Sequence, residues 1–176
     1  MSDFEPVYHD AAEVQRVKAQ VNDLVDAPWH LKTEALARRG WIAVPAEKAR
    51  HLTEAEARAL ARTLREDGLE HCYAFATEPT GIHPSVYRVE ASVAGLLKFS
   101  GECAGLNFIV VPADVSCAVL CTTEDYNVYA GTADFLRRAL GTDIDAARTS
   151  FLEYASDEWW EGRLLEVAQR YGATGT

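Results

Sequence analysis

Apolar and polar positions at the start of the chain follow a helical period. Val14, Val17, Val21 and Leu24 recur three or four residues apart and put one apolar stripe on a helix from Ala11 to about Val25, which Pro28 stops. A helical turn is expected over Leu31–Arg39, closed by Gly40, followed by a short strand over Trp41–Val44 that ends at Pro45. The next helix has the clearest signal. Thr53 and Glu56 have capping-box spacing, so hydroxyl and carboxylate each satisfy the other's orphan amide. Ala57, Leu60, Ala61 and Leu64 make its buried face, Arg58, Arg62 and Arg65 its solvated face, and Gly68 its stop.

After Gly68 the period shortens from about 3.6 residues to about 2, the strand value. Leu69–Thr77 reads as a strand and Glu78–Pro84 as a loop. Val86–Ala91 has a dry face of Tyr87, Val89 and Ala91 and a wet face of Arg88 and Glu90. Ser92 opens a short helix through Phe99, and Gly101 and Gly105 bound an irregular connection. Phe108–Val111 and Ser116–Thr122 are continuous apolar runs, the signature of strands covered on both faces, and Tyr126–Ala130 returns as the third strand of a meander. The rest is helical. One helix runs from Gly131-Thr132 to Leu140, a second from an Asp143 or Asp145 cap to Ala155, and a last one is capped by Ser156. The buried stripe of that last helix is Trp160, Leu164, Val167 or Ala168, and Tyr171. The pattern predicts a single α+β domain over residues 1–172, with a disordered tail at 173–176. Its centre is a mainly antiparallel sheet of about five strands, with helices at the N- and C-terminal ends.

Composition narrows the function classes. The 176 residues are 48% hydrophobic, enough for a sizeable core, and no run is long and apolar enough to span a membrane. The acidic start, Met1 to Asp10, has neither a basic nor an apolar signal region, so a cytoplasmic location is expected, where Cys72, Cys103, Cys117 and Cys121 stay reduced. The net charge of -10 is unevenly placed: Phe99 to Glu166 holds twelve acidic residues against four Arg, a net -8. Such a surface repels phosphate and attracts basic proteins, so a basic partner is expected and nucleic acid is not.

No catalytic, phosphate-binding or dinucleotide signature occurs. The histidines His9, His30, His51, His71 and His83 are scattered and never paired at ligand spacing, so neither metal nor cofactor is expected. For nucleophilic catalysis the candidate pair is Cys103, between two glycines, with His83 in a turn-rich loop as base, which makes a small cysteine-dependent hydrolase or transferase the alternative function. The acidic-aromatic run Asp157, Glu158, Trp159, Trp160, Glu161 reads as a helix start. It supplies Trp159 as a candidate anchor, and Glu124, Asp125, Asp143, Asp145, Asp157, Glu158 and Glu161 are the candidate partner-binding carboxylates. A homodimer built on exposed aromatics is a third reading.

The stretch Asp125–Gly141, DYNVYAGTADFLRRALG, resembles the closing part of several small stand-alone bacterial proteins, among them immunity proteins that neutralise secreted toxins. The resemblance implies a small bacterial binding protein. Together with the charge it favours a non-enzymatic acidic domain that engages a basic protein, such as a toxin.

Overall fold

Helices and strands alternate in blocks because the chain switches between the two hydrophobic periods. The computed structural model describes residues 4–7, 12–47, 52–81, 85–157 and 162–172. Strands β1 (Phe4–Pro6), β4 (Ile42–Glu47), β5 (His71–Ala76), β6 (Val86–Glu90), β7 (Phe108–Pro112), β8 (Ala118–Cys121) and β9 (Tyr126–Gly131) form one sheet. Its order is β1-β6-β5-β7-β8-β9-β4, and every neighbouring pair is antiparallel. A two-stranded ribbon, β2 (Val25–Ala27) with β3 (His30–Leu31), stands apart from it.

Alternation along the strands splits the core in two. Tyr73, Phe75, Ile109, Val111, Leu120 and Val128 face one side, under α1 (Ala12–Leu24), α2 (Thr33–Arg39), α6 (Ile144–Asp157) and α7 (Gly162–Gly172). Cys72, Ala74, Phe108, Val110, Val119 and Tyr129 face the other, under α3 (Glu54–Glu66), α4 (Val93–Glu102) and α5 (Ala133–Leu140). All five residues of β7 are buried, as its unbroken apolar run requires. The α+β class and the β7-β8-β9 meander follow the sequence reading. The helices cover both faces of the sheet, and α3 and α4 lie between strands in the chain.

The sheet has seven strands rather than about five, because one edge adds β1, which the periodicity does not mark, and the other adds β4, read from sequence only as a short strand over Trp41–Val44. β1 is three residues, FEP, with no readable period, and pairs with β6 more than eighty positions away, Phe4 opposite Val89. β4 does not stop at Pro45. It continues to Glu47, with Pro45 opposite Val128, because an edge strand tolerates a missing N–H.

Two helix ends also differ from expectation. The capping box of α3 is present, with Thr53 and Glu56 bonded reciprocally. α4, capped by Ser92, runs past Phe99 over Gly101 to Glu102, so Cys103 is its C-cap and not part of an irregular segment. Burial of Leu96 and Phe99 and the bond from the Leu52 amide to Ser100 Oγ (2.7 Å) hold that last turn. α6 runs through Ser156 to Asp157, and the Ser156 hydroxyl donates back to the Leu152 carbonyl (2.7 Å) instead of capping a new helix. Asp157 is therefore part of α6, not a helix start. Glu158, Trp159, Trp160 and Glu161 lie outside the described residues, as do His9, His51, His83 and the tail at 173–176.

Candidate functional site

Among the described residues, Trp29 and Leu152 are the large apolar side chains left exposed, at 39% and 49%. Trp29 sits at the tip of the β2–β3 ribbon, in the turn with Pro28 that joins Ala27 to His30; α1 has already ended at Leu24. Hydrogen bonds fix that tip. Tyr126 Oη donates to the Trp29 carbonyl (3.0 Å) and Thr77 Oγ1 to the Pro28 carbonyl (2.7 Å). The Leu31 amide donates to the buried Tyr171 hydroxyl (2.8 Å) and the Lys32 amide to the Leu24 carbonyl (2.7 Å). Arg170 Nη2 donates to the Leu31 carbonyl (3.1 Å) and pairs with Asp26 (2.9 Å).

Several carboxylates lie on the elements that carry or tether this tip. Asp26 lies on β2, and Glu166 lies one turn before Arg170 on α7. The β8–β9 turn contributes Glu124 and Asp125. It is tied to the same helices, since Glu124 pairs with Arg163 (3.0 Å) and the Tyr154 hydroxyl donates to the Asp125 carbonyl (3.2 Å). Asp157 is three residues beyond Tyr154 on α6. Behind them, buried Asn107 joins the strand ends: it donates to Glu78, and its Oδ1 accepts from the Thr123 amide (2.7 Å). His30 stands beside Trp29, ring centroids 6.5 Å apart. Burial, then Arg170, lowers its pKa, against the opposite pull of Asp26 and Glu166.

Of the carboxylates picked out in the sequence, Glu124 and Asp125 share the β8–β9 turn, and Asp157 lies on α6. Asp143 and Asp145 cap the other end of α6, where Asp143 Oδ1 accepts from the Asp145 amide (2.9 Å), about 20 Å away at 1.5 Å per residue. Sequence reasoning passed over Trp29, Asp26 and Glu166. The one local signal was a tryptophan following a helix-stopping proline.

The cysteine alternative fares differently. Cys103 is 5% exposed, and burial pushes its thiol up to about 12, with Glu102 and Cys121 adding to the effect. A nucleophilic cysteine needs the reverse shift, toward thiolate at neutral pH. All four cysteines are free thiols. His71 packs edge-on against Tyr73, ring centroids 5.5 Å apart, and no group of three metal-ligating side chains forms among the described residues. No helix there is long and apolar enough to cross a membrane.

Set against known protein families, curated proteins and solved structures, the chain matches none. The functional argument accordingly rests on the corner itself.

Its stiffness is testable. Tyr171→Phe removes the acceptor of the buried Leu31 amide and should cost about 1–3 kcal/mol, the penalty for an orphaned buried N–H. Amide exchange at Leu31 should accelerate with it. Unchanged protection at Leu31 would show that the hydroxyl does not hold the ribbon.

Proposed function

We propose that the chain is a non-enzymatic binding domain for a basic protein and that it docks through the Trp29 corner. One observation carries the reading: a 39%-exposed indole on a ribbon tethered at both ends, with Asp26 and Glu166 close enough to act on the neighbouring His30 and Glu124 on Tyr126, which holds the Trp29 carbonyl. Tryptophan is enriched among interface hot spots, and a rigid ribbon loses little entropy on docking. Carboxylates around the anchor accelerate the approach of a cationic partner and select against anionic ones. An inhibitor covering the cationic active site of a toxin is the pairing that this charge and the immunity-protein resemblance favour.

Affinity capture from lysate of the native cell tests it, with immobilised wild type beside the Trp29→Ala/Asp125→Asn/Glu166→Gln variant. The wild type should retain a protein of high isoelectric point that elutes as salt rises, and the variant should not. Equal retention by both, or no basic protein retained, would remove the basis of the proposal.

A further inference from the structure

Cys121 is partly exposed, whereas Cys72, Cys103 and Cys117 are buried. It ends β8, directly opposite Asn127 of β9. Opposed residues of an antiparallel pair share one face, with Cβ atoms about 4.5–5.5 Å apart. The residues flanking Asn127, Tyr126 and Val128, pack on the α1 side of the sheet, so Asn127 and Cys121 both face the α4 side. There they line one small hollow of about 20 Å³ beside the end of α4, with Cys103 in its wall. That is room for one water-sized group.

The main chain of Asn127 is paired with Cys121 on one side and Ala46 on the other, so Asn127 presents its side chain to the hollow. The residue is 3% exposed, and its Oδ1 is buried with no hydrogen-bond partner among the described residues. Buried acceptors are ordinarily partnered, so this one marks a place for a donor. A thiol is a weak donor; a hydroxyl on the same sulfur is a strong one.

We infer that Cys121 is a site of reversible oxidation that halts at the sulfenic acid, whose hydroxyl fills the hollow and donates to Asn127 Oδ1. The oxidant is hydrogen peroxide. An S–O bond forms as the peroxide O–O bond breaks, and the released hydroxide takes the thiol proton and leaves as water. Sulfur is oxidised by two electrons and peroxide is reduced by the same two. Two features stop the chemistry there. The filled hollow has no space beside the sulfur for a second peroxide. A disulfide would require attack by the Cys103 thiolate, and burial pushes that thiol up to about 12, so it stays protonated at neutral pH. The inference uses no part of the Trp29 corner and stands apart from the protein-binding proposal.

Peroxide treatment of the reduced full-length protein tests it, with dimedone to trap sulfenic acid and peptide mass spectrometry to place the adduct. Cys121 should carry the adduct, Cys72, Cys103 and Cys117 should not, and dithiothreitol added before dimedone should abolish it. Asn127→Val keeps a side chain suited to a strand but removes the acceptor. Under continued peroxide it should lose trappable sulfenic acid to sulfinic acid about 3–10-fold faster than wild type, the worth of one neutral hydrogen bond. A second measurement needs no variant. Urea added to the oxidised wild type, after catalase has removed the peroxide, should convert the sulfenic acid to a disulfide, because unfolding frees the thiols from the burial that keeps them protonated. No adduct at Cys121, or a Cys103–Cys121 disulfide in the folded protein, overturns the inference. So does over-oxidation of Asn127→Val at the wild-type rate, or a sulfenic acid that persists as long in urea as in the fold.

Discussion

Replacing Phe108 by Ala should lower the free energy of unfolding by about 3–5 kcal/mol, the usual cost of emptying an aromatic site in a packed core. Phe108 is 0% exposed and begins β7, the strand between β5 and β8. Its ring meets Phe99 of α4 edge-on at 5.6 Å and Tyr87 of β6 at 5.9 Å. Truncation therefore strips a partner from two aromatic pairs, each worth about 0.5–1.5 kcal/mol beyond burial. The hole opens under α4, whose last turn is held by the burial of Leu96 and Phe99 and the bond from the Leu52 amide to Ser100 Oγ. Leu152→Ala is the control: at 49% exposure it should change stability by less than about 0.5 kcal/mol. Urea denaturation of both variants checks the pair. A Phe108→Ala loss under about 1.5 kcal/mol would mean that α4 collapses into the hole, and that the two-sided core is more deformable than its packing implies.

The same contrast between local and distant interactions explains which parts were legible from sequence. The α3 capping box lies within four residues, and the structure contains it as read. The change of period after Gly68 and the apolar runs of β7 and β8 record burial on one or both faces of a strand, which periodicity reports directly. β1 and the second half of β4 carry no such record. Their membership of the sheet depends on β6 and β9, far away in the chain, and on the tolerance of an edge for Pro45. The end of α6 failed for another reason. Ser156 followed by acidic residues suits an N-cap as well as it suits a hydroxyl bonded back to Leu152, and only packing of Ala155 against the core decides. The corner was the least legible part. The Trp29 carbonyl is held from 97 positions away and the Leu31 amide from 140, so nothing local marks Trp29 as an anchored, exposed side chain. The fold divides the carboxylates picked out in the sequence: Glu124 and Asp125 share the β8–β9 turn, while Asp143 and Asp145 lie at the start of α6, about 20 Å along that helix from Asp157.

With the basic protein recovered by capture, charge and anchor variants of the corner should separate kinetically. Neutralising the exposed Asp125, Asp157 and Glu166 together should slow association several-fold at low salt and change dissociation little, because steering acts during approach. The difference should fade near physiological ionic strength, where screening cuts the reach of charge to about 8 Å. Trp29→Ala should leave the association rate close to wild type and speed dissociation about 30-fold or more, the kinetic equivalent of losing a hot spot of about 2 kcal/mol. Folding is not at risk in either variant. Trp29 is already 39% exposed, and the three carboxylates are all exposed at the surface. A corner that is only a solvated face predicts another pattern: association equal to wild type at every salt concentration, and Trp29→Ala without effect on dissociation. Stopped-flow mixing at two ionic strengths distinguishes the cases. An association rate for the triple variant equal to wild type at low salt would mean that the carboxylates do not steer the partner, and a Trp29→Ala dissociation rate equal to wild type would place the anchor elsewhere on the surface.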